Sequence, residues 1–315
     1  MHLPPTRLRL AFFGTPQLAR TILGAILDAN EDDVVLVVCQ PDKPKGRGQK
    51  LELPPVKELA EARALPVIQP VKMKDGVVAA RLRESKLDLA IVAAFGRILP
   101  PDVLDAVPNG FWNVHASLLP RHRGASPIQY SILEGDSETG VTLMKLTPGM
   151  DEGPMLLKRA IPVAPRETQA SLFDKMASLG AELTLEGLRA AKTDGLYAEP
   201  QDPALATYAP LIEKEAGKLD LGDTAARLER RVRAFDPWPG TFLVLDGQPL
   251  RVLEAEAIAG DAPAGVITSV EGALELGTAE GHLRITRLQP AGKKPMSAAD
   301  FLRGAGRALA VGRKL

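Results

Sequence analysis

A chain of 315 residues, 45% hydrophobic and 25% charged, has the size and composition of a globular protein of two domains and excludes the disordered and fibrous classes. Its 39 basic and 39 acidic residues cancel, so no global field advertises a polyanionic partner. The single cysteine, Cys39, ends an apolar run and reads as a buried structural thiol in a reducing compartment; no apolar stretch approaches membrane-spanning length, so a cytoplasmic protein is expected, by default a monomer.

In chain order, apolar runs alternate with helical patterns. Leu8 to Phe13 reads as a buried strand. Behind it, Gly14-Thr15-Pro16 predicts a helix to about Asp28, with Thr15 as its cap and Pro16 in its first turn. A strand at 34–39, a helix over about 55–64, a short strand at 66–69 and buried strands at 87–94 and 110–114 continue the alternation. An apolar run at 139–146 and a long amphipathic helix over 169–192 follow. This is the pattern of a doubly wound α/β fold with a mostly parallel sheet. Residues 193–209 turn polar and proline-bearing, as a linker does. After a helical stretch at 222–234, short β-favouring segments at 241–245, 250–255, 265–270 and 283–288 predict a small barrel of about five strands.

Two segments carry chemistry. Asn113-Val114-His115-Ala116-Ser117-Leu118-Leu119-Pro120 follows one strand, and Gly149-Met150-Asp151-Glu152-Gly153-Pro154 follows the run at 139–146. Both are expected at the carboxyl edge of a parallel sheet, where ligands of open α/β folds bind. Acyl transfer to an amine needs donors facing a tetrahedral oxyanion, a proton acceptor for the nucleophile and a proton for the leaving nitrogen. Asn113, His115 and Asp151 supply an amide, an imidazole and a carboxylate for those tasks, and a carboxylate beside an imidazole favours its protonated form. Each residue by itself is more often a structural hydrogen-bonding group or a turn. Other chemistries fit less well. The first glycine turn has one glycine where the dinucleotide fingerprint needs three, and neither a phosphate loop, a serine elbow nor a cysteine and histidine cluster for zinc is present. No metal is expected.

With Arg121-His122-Arg123-Gly124 following, the first segment resembles the signature of the formyltransferases that use 10-formyltetrahydrofolate. The resemblance extends along nearly the whole chain: Phe13-Gly14-Thr15-Pro16, Gln40-Pro41-Asp42-Lys43-Pro44 with Gly46-Arg47-Gly48, Pro127-Ile128-Gln129, Phe235-Asp236-Pro237-Trp238-Pro239-Gly240 and Leu288 to Lys294. Within the family, these motifs are similar to those of members that formylate methionyl-initiator tRNA. The resemblance implies a Rossmann-like formyltransferase domain over 1–192, a linker over 193–207 and an OB-like tRNA-binding domain over 208–315. It implies that Asn113, His115 and Asp151 are the catalytic trio, and that Ser117, Leu118, Leu119 and Pro120, with Arg97, Ile98 and Leu99, bind the folate.

Two basic patches bear on the tRNA. The loop at 41–50 carries Lys43, Lys45, Arg47 and Lys50, and the resemblance places a tRNA-reading insertion here. From Gly281 onward stand eight basic residues, Lys293 and Lys294 among them, against the single acid Asp300. Solvated surface charge is the commoner origin of such runs. Arg121 and Arg123 could steer the folate's glutamate tail or tRNA phosphates, but exposed surface charge without function is at least as common, and they are not counted among the site residues. Three alternatives stay open: hydrolysis of the formylfolate, formylation of another amine, and a non-enzymatic RNA-binding protein with a decayed enzyme domain.

Overall fold

The computed structural model describes residues 3–4, 6–45 and 50–315, with the side chains of 44, 45 and 50 outside that description. The chain forms two compact units, one of residues 1–127, 138–162 and 173–210, the other of 128–137, 163–172 and 211–315.

In the first unit the elements run β1 (Arg9–Gly14), α1 (Gln17–Ala29), β2 (Asp33–Val38), β3 (Lys43–Lys45), β4 (Lys50–Glu52), α2 (Pro55–Ala62), β5 (Val67–Ile68), α3 (Val77–Glu84), β6 (Leu89–Ala93), α4 (Pro101–Leu104) and β7 (Phe111–His115). There follow α5 (Pro127–Leu133), which belongs to the other unit from Ile128 onward, β8 (Glu138–Lys145), β9 (Met155–Pro162) and α6 (Gln169–Lys192), which belongs to the first unit from Phe173 onward. The sheet order is β5-β2-β1-β6-β7-β8-β9, parallel from β5 through β7. All five residues of β6 are buried, as expected of a strand covered on both faces. The apolar stripe of α1, Leu18, Ala19, Ile22, Leu23 and Ile26, recurs at helical spacing and is buried. Gly180 and Gly187 let α6 approach β7 and β8, where a Cβ would press on Val114 and Leu143. Phe13 at the end of β1 meets Phe95 and Phe111 edge-on, with ring centroids 5.3 and 5.4 Å apart, and so braces the carboxyl edge of the sheet.

The chain runs outward from β1 to β2 and β5 and then returns to place β6 on the other side of β1. The order therefore reverses between β1 and β6, where doubly wound sheets open a ligand crevice. Cys39 is fully buried behind β2, and burial pushes its thiol up to about 11. A thiol so protonated is no nucleophile, and the structural reading of Cys39 holds.

Three sequence expectations need correction here. Thr15 does not cap α1. The N-cap is Pro16, while the Thr15 hydroxyl donates to Phe95 O at 3.4 Å and accepts from Gln40 N–H at 3.3 Å, stitching β1 to its neighbours' loops. Nor does β8 deliver Asp151 to the same strand edge as His115. β8 is antiparallel to β7, with Lys145 opposite Trp112 and Thr142 opposite His115, so the chain leaves β8 at the wrong end of β7 and the loop 146–154 must fold back. The stretch 193–209 is also more than a polar tether: Glu199 exchanges both backbone hydrogen bonds with Met155 at 2.8 Å, while Arg123 N–H donates to Thr207 O at 2.8 Å and Arg123 O accepts from Ala209 N–H at 2.7 Å. Apart from one short 3-10 turn at Pro203–Leu205, its backbone groups find partners in neighbouring segments.

The second unit has α7 (Ala225–Ala234), β10 (Thr241–Leu245), β11 (Gln248–Ile258), β12 (Ile267–Ser269), β13 (Leu274–Gly277), β14 (His282–Pro290), β15 (Met296–Ser297) and α8 (Ala298–Arg303). Its antiparallel sheet runs β10-β11-β14-β13-β12, with β15 on β14. Alternation along β14 buries Leu283, Ile285 and Leu288 against Leu228 and Val232 of α7, in the core of this unit. Thr224 caps α7, accepting from Arg227 N–H at 3.3 Å, which is why the helix starts at Ala225 rather than 222.

Gly153 closes the loop between β8 and β9 so tightly that a Cβ would strike Lys145 O. Gly153→Ala should therefore cost on the order of 2 kcal/mol and lower turnover more than it lowers the melting temperature, checked by thermal denaturation beside steady-state kinetics.

Candidate active site

Asn113 and His115 are two residues apart on β7, so both side chains stand on one face of the sheet. The folded-back loop brings Asp151 onto that face. Its carboxylate lies 3.4 Å from Asn113 Nδ2 and 3.7 Å from His115 Nδ1, and accepts the Gly124 N–H at 2.9 Å. The sequence-predicted trio thus comes together on one face, the carboxylate bonded to the Asn113 amide and beside the imidazole. His115 is 5% exposed and Asp151 16% by side chain, a water-poor setting in which charges act strongly.

The orientation of each group has a cause. His115 Nε2 lies 2.8 Å from the backbone carbonyl of His122. A carbonyl only accepts, so Nε2 carries a proton and Nδ1 is the nitrogen turned to Asp151. Asp151 has φ +49°, the left-handed region that Asp tolerates better than most residues, and so the chain turns sharply enough to aim its carboxylate inward. Gly124 is at φ +113°, and a Cβ there would meet Ala209 O at 2.8 Å. Only glycine offers its N–H to the carboxylate at this point.

Two supporting residues carried no signal in the sequence. Gln201, 8% exposed, donates through Nε2 to Asp151 O at 2.8 Å and to Gly153 O at 2.7 Å, holding both ends of the catalytic turn. Its Oε1 accepts from Arg123 Nε at 3.0 Å. Arg123 is buried at 5% exposure, which overturns its reading as surface charge. Nothing in the composition of a proline-bearing stretch marks Gln201 as a buried clamp; the only hint for Arg123 was its place beside Gly124.

The residues expected to bind folate are split. Ser117 is fully buried; its hydroxyl donates to Arg121 O at 2.6 Å, and its carbonyl accepts from Thr142 Oγ1 at 2.7 Å. Leu119 packs with Met144 and Met155, and its N–H is held by Thr142 Oγ1 at 3.1 Å, while Leu118 and Pro120 are partly exposed. Leu99 is buried in the core with Phe95 and Val103, whereas Ile98 is 79% exposed. Arg97 is turned from solvent by bonds of 2.9 Å to the carbonyls of Pro70 and Val71. The loop 95–99 thus stands rigidly at the β1–β6 reversal with Ile98 presented outward.

Of the basic residues, Arg47 and the side chains of Lys45 and Lys50 lie outside the described residues, and Lys43 is exposed, its ammonium 3.0 Å from Gln40 Oε1. Lys293 and Lys294 are exposed in the turn after β14 and make no ion pair among the described residues. Half of the carboxyl-terminal basic set is neutralised locally: Arg284 pairs with Glu275, Arg287 with Glu254, Arg303 with Asp300 and Arg313 with Asp246. Among the described residues there is no cluster of His, Cys, Asp and Glu that would hold a metal, and no helix long and apolar enough to cross a membrane.

A doubly wound sheet carrying an amide, an imidazole and a carboxylate around one gap defines an acyl-transferring enzyme, and residues 8–188 match the family model "Formyl transferase" while 211–306 match "Formyl transferase, C-terminal domain". Methionyl-tRNA formyltransferase from Myxococcus xanthus is 48% identical, covering 95% of this chain and 96% of that protein, and that from Trichlorobacter lovleyi is 45% identical, covering 98% and 96%. The chain belongs to the methionyl-tRNA formyltransferase family. Among solved structures, the N-formyltransferase from Helicobacter canadensis with folinic acid and dTDP-3-aminofucose has the same fold (TM-score 0.66, 18% identity, 90% of this chain and 99% of that one). HypX from Aquifex aeolicus with tetrahydrofolic acid shares it too (TM-score 0.62, 21% identity, 94% of this chain), and the chain spans about half, 47%, of that protein's length.

Removing the Gln201 amide would strand two buried carbonyls and loosen the catalytic turn, so Gln201→Leu should lower kcat by roughly tenfold or more with little change in KM for either substrate, as measured by steady-state formylation.

Proposed function

We propose that this enzyme transfers the formyl group of 10-formyltetrahydrofolate to the α-amine of methionyl-initiator tRNA, yielding formylmethionyl-tRNA for translation initiation. The observation that carries this reading is the Asp151 carboxylate held between Asn113, His115 and the Gly124 N–H, in a chain about half identical to curated enzymes of that name. The amine attacks the formyl carbon and a new C–N bond forms. Negative charge collects on the formyl oxygen, where the second N–H of the Asn113 amide faces it with the His115 ring alongside. Asp151 takes the proton from the attacking amine, directly or through water, and Nδ1 of His115 lies within reach to share it. The bond to N10 breaks as that nitrogen regains a proton, and no covalent enzyme intermediate is needed because the nucleophile arrives with the substrate.

The folate seats at the β1–β6 reversal against loop 95–99 and residues 117–120. With Ser117 and Leu119 committed to internal contacts, backbone groups and the outward Ile98, Leu118 and Pro120 supply its surface. Residues 1–192 carry this chemistry, 193–207 connect, and 208–315 hold tRNA through Lys293 and Lys294 while Lys43, Lys45, Arg47 and Lys50 engage the acceptor end. An arginine fork between two glycines suits a phosphate or a base edge better than a lysine point charge. The enzyme works in the cytoplasm as a monomer.

Incubation with 10-formyltetrahydrofolate and methionyl-initiator tRNA should produce formylmethionine on the tRNA; release of formate without it would instead favour hydrolysis. Asp151→Asn should reduce kcat by roughly 10²-fold or more while folate affinity is unchanged, and near-normal turnover would remove the carboxylate from the mechanism. Arg47→Ala should raise KM for the tRNA and spare folate binding, measured by the same assay and by folate titration.

A further inference from the structure

The hairpin β3–β4 leaves the main sheet after Gln40 and returns into α2, so its orientation is set at a neck formed by the residues just before and just after it. Asp42 immediately precedes β3, and Lys57 lies in the first turn of α2. The two meet across the neck: Lys57 Nζ is 2.7 and 3.0 Å from the two carboxylate oxygens of Asp42. The pair is largely out of water, with 15% of the lysine and 22% of the aspartate side chain exposed. Gln69, just past β5, completes it by donating to Asp42 Oδ1 at 2.6 Å and to Gln40 O at 2.9 Å. Bonding to Gln69 and Lys57 holds the Asp42 carboxyl below its ordinary value, and bonding to Asp42 raises that of Lys57, so both stay charged at neutral pH.

The neck is tied in turn to the wall of the folate crevice. Gln40 Nε2 donates to Phe95 O at 2.8 Å, and Gln40 Oε1 accepts from Lys43, the first residue of β3. The segment that provides Gln69 also provides the carbonyls of Pro70 and Val71 that hold Arg97. One polar network therefore runs across the carboxyl ends of β1, β2, β5 and β6 and joins the root of the hairpin to loop 95–99. A partly buried ion pair adds little or nothing to stability compared with apolar replacements, but it resists displacement because either partner left alone is costly. Such a pair at the neck of a 43–52 excursion defines direction.

We propose that Asp42, Lys57 and Gln69 are positioning residues for the acceptor substrate: their clamp sets the angle at which the basic hairpin approaches the formyl donor, and so the KM for methionyl-tRNA. This rests on the reading of the hairpin as a tRNA-contacting element. None of the three touches the catalytic trio, so the chemical step is spared once tRNA is bound.

The test compares Lys57→Met, Lys57→Arg and Arg47→Ala with the parent enzyme, in the full chain, by steady-state formylation, by fluorescence titration with 5-formyltetrahydrofolate and by thermal denaturation. Lys57→Met should raise KM for methionyl-tRNA about tenfold, in line with the cost of misplacing a bound group, while kcat and folate affinity stay near those of the parent and the melting temperature falls as the Asp42 carboxylate loses its partner. Lys57→Arg should restore most of the loss. An unchanged KM in Lys57→Met, or a KM that rises only together with weaker folate binding, overturns the proposal. If Arg47→Ala raises KM and Lys57→Met does not, the hairpin reading stands and the clamp falls; if neither does, both fall.

Discussion

A carboxylate that must sit above β7 while its own chain departs in the wrong direction is the constraint around which the catalytic unit is built. Because β8 runs antiparallel to β7, the loop carrying Asp151 begins beside Trp112 and has to travel back across the face of the sheet to reach His115. Every unusual feature nearby serves that return. Gly153 permits a backbone approach no side chain would tolerate, Asp151 adopts a left-handed turn, and Gln201 ties both residues down through their carbonyls. The Gly124 N–H then meets the carboxylate at the end of the path. Loops built this way are held by hydrogen bonds rather than by apolar burial, so they place a charge without immersing it in a core that would neutralise it.

The imidazole is constrained from the other side. The His122 carbonyl claims Nε2 and leaves Nδ1 as the only nitrogen that faces the gap. A single backbone group thereby decides which ring nitrogen is turned to Asp151, and the Ser117 hydroxyl, bonded to the carbonyls of Arg121 and His122, steadies that same turn. The conspicuous residues of this segment thus divide by placement: Asn113 and His115 face the gap, whereas Ser117 and Leu119 shape the turn behind them.

The reversal of strand order between β1 and β6 locates the second half of the site. Thr15, Gln40 and Phe95 are cross-linked there by hydrogen bonds, beneath an aromatic brace of Phe13, Phe95 and Phe111. A rigid rim of this kind supports a substrate crevice on one side and the neck of the basic hairpin on the other. Loop 95–99 and the root of the β3–β4 hairpin thus share a common footing.

Much of this was legible in the residues themselves. Alternation of apolar runs with amphipathic ones marked the parallel strands and the full length of α6, because burial on two faces and burial on one stripe leave different periods in a sequence. The Asn113-x-His115 pair and the Gly149 to Pro154 turn could be read as chemistry because an amide, an imidazole and a carboxylate are rare company for plain packing. Short elements such as β13 and β15 were invisible, since two to four residues carry no period and are made by their neighbours. Strand direction was invisible for the same reason: β8 has the same composition whether it runs with β7 or against it. Gln201, Arg123, Lys57 and Gln69 owe their roles entirely to partners between 15 and 78 residues away. What the sequence determined on its own was which groups are capable of the reaction; the tertiary structure alone decided which of them are aimed, because a hydrogen-bond partner is chosen by distance in space and leaves no mark on the order of residues in the chain.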